Sequence, residues 1–154
     1  MDPATIEAHI HALGGVETMT LGDDRFFIHN PDGDLPGERK MPFATIVTSD
    51  AYDSAYDLGR EGVYRLNIGL PRDSYRRLFG TPPAARADGG PLDTGHDATV
   101  LDVVVPHPVY ASQQWVCVLN PGDETVATTV GPLLAEAHDF AARKSANRAA
   151  RTGG

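Results

Sequence analysis

A series of short strand-like runs, separated by turn signals, constrains the fold of this chain more than any other feature. The runs are VETMTL (16–21), RFFIHN (25–30), FATIVT (43–48), VYRLNIGL (63–70) and WVCVLN (115–120). The first two flank Gly22-Asp23-Asp24, which has the length and composition of a hairpin turn. Because hairpin turns join antiparallel strands, the runs predict an antiparallel sheet. A further run, TVLDVVV (99–105), predicts a strand or an extended arm.

Helical patterns stand before, within and after these runs. They cover 2–13, 71–79 and a final segment that begins at Asp123 or Thr125 and turns polar after Lys144. Asp2 is suited to cap the first helix, and Pro3 is suited to its first turn. Inside the final helix, Pro132 predicts a kink or a new start, because proline cannot donate a backbone hydrogen bond.

The order of these elements predicts an α+β fold. We expect a single antiparallel sheet with the N-terminal and C-terminal helices packed on one of its faces. At 154 residues the chain has the length of one domain. We assign the domain to residues 1–144 and expect residues 145–154 to be a frayed tail.

Composition narrows the classes of function. The formal charge is −8, whereas nucleic-acid binding depends on basic groups that displace counterions from phosphates, so we expect no nucleic-acid partner. No apolar stretch approaches the roughly 18 residues that a membrane span requires, and residues 1–15 lack the pattern of a signal peptide. We therefore expect a cytoplasmic protein without a membrane partner, either a monomer or a homodimer.

The strand run 63–70 carries the most informative polar pair. Its alternation places Tyr64 and Leu66 on one face and Arg65 and Asn67 on the other. A sheet covered by helices on one side leaves its other side open. Two interpretations of that open face remain: a ligand cleft with polar groups on apolar walls, or a plain solvent-facing surface.

The segment 104–122 holds several chemically distinctive side chains. Flanking prolines restrict the backbone of His107, which suits either a general base or a residue that fixes the loop by a hydrogen bond. Trp115 is predicted to be a core residue or a pocket wall. Cys117 has no basic neighbour in the sequence to lower its pKa, so it is predicted to be mainly a buried, inert thiol.

Our leading hypothesis is a small-molecule binding domain with its cleft on the open sheet face. The predicted ligand-binding residues are Phe27, His29, Arg65, Asn67, His107, Tyr110 and Trp115. One alternative is an isomerase, cyclase or hydrolase that uses His107 as general acid–base; another is a protein-interaction module. The sequence contains no phosphate loop, dinucleotide fingerprint, nucleophile elbow or histidine-pair metal motif, so we expect no cofactor and no metal.

Three segments together resemble a known family. PDGDLPGERKMPFATIVTSD, VYRLNIGLPRDSYRRLFG and PHPVYASQQWVCVLNPG are similar to a bacterial family of domains of unknown function, number 6194, and the resemblance extends from the first helix to about Arg143. More distantly, the pattern resembles MmcQ/YjbR-like proteins, with counterparts at Leu66-Asn67, Pro71 and Trp115. That resemblance implies a small α+β domain with an antiparallel sheet. It assigns no catalytic residue.

Overall fold

The computed structural model describes residues 1–48 and 62–152. Its helices are α1 (Pro3–His11), α2 (Arg72–Phe79), α3 (Asp123–Thr125) and α4 (Gly131–Thr152). Its strands are β1 (Val16–Leu21), β2 (Asp24–His29), β3 (Ala44–Val47), β4 (Arg65–Gly69), β5 (Val105–Pro106) and β6 (Trp115–Leu119). None of the helices within these ranges has an apolar stretch long enough to cross a bilayer.

All six strands form one antiparallel sheet in the order β1-β2-β3-β4-β6-β5. The hairpin between β1 and β2 turns at Gly22, whose φ of 61° is costly for other residues. The predicted α+β class and antiparallel sheet are therefore confirmed. The run 99–105 contributes less than a full strand, since only Val105 and Pro106 join β6 and Leu101 makes an isolated bridge to Leu119.

Helix α1 begins and ends as its sequence predicts. The carboxylate of Asp2 accepts hydrogen bonds from the backbone N–H of Thr5 at 2.8 Å and from its hydroxyl at 2.6 Å. These bonds satisfy a donor that the first helical turn leaves without a partner. Ile6 and Ile10 then face inward and are fully buried against the sheet.

The two faces of the sheet carry different residues. Side chains that pack under the helices include Phe27, Ala44, Ile46, Leu66, Ile68, Val116 and Val118. Leu133, Leu134 and Ala137 of α4 join the same core. The opposite face carries Thr45, Arg65 and Asn67 together with a smaller apolar cluster of Val47, Val105, Cys117 and Leu119. The helices thus cover one face, as predicted.

The final helical region is irregular just before Pro132. A π-helical turn, Val126–Val130, separates α3 from α4. Pro132 has no N–H for the carbonyl of Thr128, four residues earlier, and its ring crowds that position, which accounts for the predicted break. The backbone of α4 then continues to Thr152.

Candidate functional site

The predicted ligand-binding residues do not meet in one cleft. Phe27 is fully buried among the helix-side core residues, so it lies on the opposite face of the sheet from Arg65 and Asn67. Tyr110 is 50% exposed at the surface. His29 and Trp115 lie at one end of the sheet and contribute to the same pocket.

Arg65, Asn67 and His107 share the other face of the sheet, but solvent hardly reaches them. Their exposed fractions are 4%, 4% and 2%, so the sheet face is covered at these positions and is not open as the sequence suggested. The amide nitrogen of Asn67 donates to the hydroxyl of Thr45 at 2.8 Å. Within the part of the chain that the structure describes, the Asn67 Oδ1 atom has no hydrogen-bond partner.

The imidazole of His107 closes a tight turn. Its Nδ1 atom accepts hydrogen bonds from the backbone N–H groups of Val109 at 3.1 Å and Tyr110 at 3.0 Å. Burial and, second, the positive charge of Arg65 lower the pKa of His107 to about 2. The ring is therefore neutral at physiological pH, and Nδ1 is occupied by the loop that it holds in place.

A pocket of about 350 Å³ opens at one end of the sheet. There β2 ends, β3 begins, β4 ends and β6 begins, and the middle of α4 lies beside them. We call it the strand-end pocket. Its apolar lining is Ile28, Leu35, Met41, Pro42, Phe43, Gly69, Leu70, Trp115, Phe140 and Ala141, and its polar lining is His29, Arg39, Gln113 and Lys144.

One wall of the strand-end pocket depends on a glycine. A Cβ atom at Gly69 would lie 2.8 Å from Cζ2 and 2.9 Å from Cε2 of Trp115, closer than carbon atoms normally approach. The indole therefore packs directly on the backbone of β4. The sequence indicated Trp115 as a possible wall, but nothing in it indicated that Gly69 makes room for the ring.

His29, which lines the same pocket, contacts a second histidine, His138, outside the lining. The rings of His29 and His138 meet edge to face with centroids 5.1 Å apart, and Nε2 of His138 donates to the carbonyl of Gly14 at 2.7 Å. Burial and, second, His138 lower the pKa of His29, while the carboxylate of Asp32 opposes this shift. Nδ1 of His29 is buried and has no hydrogen-bond partner among the described residues.

The charged residues that line the strand-end pocket are both cationic. Arg39 belongs to a short 3₁₀ turn, and Lys144 lies on α4 with its ammonium 4.1 Å from the centre of the Phe140 ring. No carboxylate from the described residues joins the lining. Sequence reasoning missed Arg39, Phe140 and Lys144. The one indication in the sequence was the spacing of Phe140 and Lys144, because residues four apart on a predicted helix lie on the same face.

The geometry does not indicate a metal centre. Within residues 1–48 and 62–152, no group of three or more histidine, cysteine, aspartate or glutamate side chains is placed to hold an ion. Cys117 is buried on the strand β6. Chemically, the strand-end pocket offers apolar walls, two cations and a few neutral polar groups.

Comparison with known proteins gives a family but no activity. No curated protein and no solved structure matches the chain. A family model, described as a family of unknown function (DUF6194), matches residues 1–150, which is nearly the whole chain. The chain therefore belongs to DUF6194, a family of unknown function.

Proposed function

We propose that this protein binds a small molecule in the strand-end pocket. The observation that carries the proposal is the pocket itself: about 350 Å³, with aromatic and aliphatic walls and a few polar groups. Sites for small ligands are concave, mostly apolar and about 300–1,000 Å³ in volume. The volume lies at the small end of that range and suits a compact metabolite better than a dinucleotide.

One wall of the pocket supports the proposal because the sheet holds it. Phe43 is buried just before β3, and its backbone N–H donates to the carbonyl of Phe27 at 2.9 Å. The backbone N–H of Gly69 donates in turn to the carbonyl of Phe43 at 2.9 Å. A site built on strands loses little conformational freedom when a ligand binds, which favours affinity.

The enzyme alternative has less support. A general base must accept a proton near the working pH, whereas the pKa of His107 is about 2 and its Nδ1 atom already accepts two backbone hydrogen bonds. We therefore do not assign acid–base catalysis to His107. The interaction-module alternative would use Val100, Leu101 and Val103, which are exposed apolar side chains close together in the chain.

We also propose the wider relation to MmcQ/YjbR-like proteins, together with a bacterial origin and a cytoplasmic location. The order of strand β4 with Leu66-Asn67, a helix after Pro71, the Trp115 strand and a closing helix supports the relation. The charge of −8 favours a partner other than nucleic acid. A gel shift at physiological salt tests that point: retarded DNA or RNA contradicts it.

A ligand screen with a blocked pocket tests the proposed function. Trp115 is the sole tryptophan, so its indole N–H gives one cross-peak in a ¹⁵N-labelled sample and reports on the pocket wall. We expect some compounds of a metabolite library to raise the melting temperature and move this peak, because a ligand that binds the folded state stabilises it.

Ala141→Leu and Ala135→Leu provide a matched pair of variants. Both change alanine to leucine on α4, but Ala141 lines the pocket and Ala135 is exposed. Alanine and leucine are both strong helix formers, so the two changes have similar intrinsic cost. Ala141→Leu should abolish the responses and Ala135→Leu should retain them. If no compound acts, or if both variants respond like the original chain, the proposal fails.

A further inference from the structure

The charge of the strand-end pocket differs in sign from the charge of the whole chain. The chain carries −8, yet the charged side chains of the lining are Arg39 and Lys144. Distant surface charges are screened within about 8 Å at physiological salt, so nearby groups dominate the field that a bound ligand feels. Arg39 therefore favours an anionic group at its side of the pocket.

Acidic residues close to this lining do not belong to it, and these include Asp32, whose carboxylate acts on the ring of His29. Asp139 on α4 pairs with Arg143 at 3.0 Å, and Glu38 is exposed beside Arg39 without lining the pocket. Arg39 forms no ion pair with any residue that the structure describes. Its guanidinium is thus available for a carboxylate, which it can bind with two parallel hydrogen bonds.

The shape of the apolar lining favours a flat body. One side of the Trp115 indole is taken by the backbone of Gly69, and the ring is only partly buried, so it also offers surface to the pocket. Phe43 and Phe140 contribute two more rings. Aromatic side chains gain energy from offset-stacked and edge-to-face contacts with another ring beyond what burial alone gives.

We infer that the strand-end pocket selects a small aromatic carboxylate, with its ring against Trp115 and its carboxylate at Arg39. This inference rests on the proposed function and specifies its ligand class. The flat body satisfies the apolar lining, and the carboxylate satisfies the cationic rim. A neutral aromatic compound of the same size would fit only the apolar lining, and a non-planar carboxylate would fit only the cationic rim.

Three probes of similar size separate the contribution of the carboxylate from that of the planar ring: benzoate, benzamide and cyclohexanecarboxylate. Titration is followed by the Trp115 indole cross-peak. Benzoate should bind about tenfold more tightly than neutral benzamide, as expected for a charge-assisted hydrogen bond. Benzoate should also bind at least about three times as tightly as the non-planar cyclohexanecarboxylate, because a flat ring can stack on the indole of Trp115.

Arg39→Gln and Arg76→Gln test the position of the carboxylate. Each removes one positive charge from an exposed arginine, but Arg76 lies on α2 outside the pocket. Arg39→Gln should weaken benzoate about five- to tenfold and leave benzamide unchanged. Arg76→Gln should change neither.

The outcomes distinguish this inference from the proposed function. Equal affinities for benzoate and benzamide, or equal effects of the two arginine variants, overturn the choice of an aromatic carboxylate, while saturable binding at Trp115 still supports the pocket. An indole peak that none of the three probes moves also overturns the inference. The library screen with Ala141→Leu then decides the proposed function by itself.

Discussion

Replacing Gly69 by alanine tests the wall on which the candidate site depends. The added Cβ would lie 2.8 Å from the indole of Trp115, and ordinary van der Waals contact begins at 3.4 Å, so the ring must retreat by about 0.6 Å. The backbone of Gly69 is hydrogen-bonded to Phe43 in the sheet, which leaves the indole as the group that moves. We expect the ring to shift away from β4.

Two opposing effects determine how much Gly69→Ala changes the free energy of unfolding. Forcing an extra carbon into a packed site costs about 1–3 kcal/mol. Alanine recovers about 0.5–1 kcal/mol, because glycine in a strand loses more conformational entropy on folding. The net loss in free energy of unfolding is therefore between about 0 and 2.5 kcal/mol. For a domain of this length that corresponds to a melting temperature lower by up to about 8 °C.

A double-mutant cycle with Trp115→Phe isolates the clash. A phenyl ring lacks the part of the indole that contains Cζ2, so Gly69→Ala should cost at least about 1 kcal/mol less in the phenylalanine background. Urea denaturation followed by far-UV circular dichroism gives the four free energies without a tryptophan signal. If alanine costs the same in both backgrounds, the indole does not pack on Gly69 as we argue.

Three further predictions concern Asn67, Phe27 and His107, which the sequence predicted to bind a ligand. Thr45→Val removes the hydroxyl that accepts a hydrogen bond from the Asn67 amide, so it should lower the free energy of unfolding by about 1–3 kcal/mol, measured by urea denaturation. Thr20→Val, at an exposed position, is the control, and an equal loss in both variants would contradict the buried hydrogen bond. Phe27→Ala should cost about 3–5 kcal/mol because Phe27 is a core residue, and a cost below about 1 kcal/mol would not fit that place. His107 has an ordinary pKa of 6.5 when unfolded and about 2 when folded, so below pH 6.5 only the unfolded state takes up its proton and stability falls as the pH decreases. His107→Asn keeps an acceptor for the loop. Between pH 6.5 and 5 the variant should lose about 1.7 kcal/mol less free energy of unfolding than the original chain; parallel pH profiles would refute the assignment.

Much of the fold follows from local patterns in the sequence. Strict alternation in VYRLNIGL predicted which residues of β4 face the core, and Leu66 and Ile68 are fully buried there. The cap at Asp2 and the break at Pro132 also follow from local chemistry, since each depends on a backbone donor that is satisfied or missing. These features need no knowledge of distant residues.

The position of Phe27 could not be derived in the same way. In β2 the apolar residues Phe26, Phe27 and Ile28 are consecutive, so alternation does not say which of them faces the helices. The register decides, because Phe27 pairs with Ala44, and Ala44 pairs with Ile68 on the helix-covered face. A shift by one residue would have exchanged the two faces.

The strand-end pocket shows what further information the sequence lacks. In an antiparallel sheet, neighbouring strands run in opposite directions, so the end of one strand lies beside the start of the next. Given the strand order, Ile28, Phe43, Gly69 and Trp115 must therefore lie at one end of the sheet, although they are spread over much of the chain. The strand order is the step that residue patterns do not supply, and the packing of α4, which adds Lys144, depends on it. With the strand order known, the residues at the strand ends would have predicted a pocket here, whereas alternation along β4 predicted a site at Arg65 and Asn67.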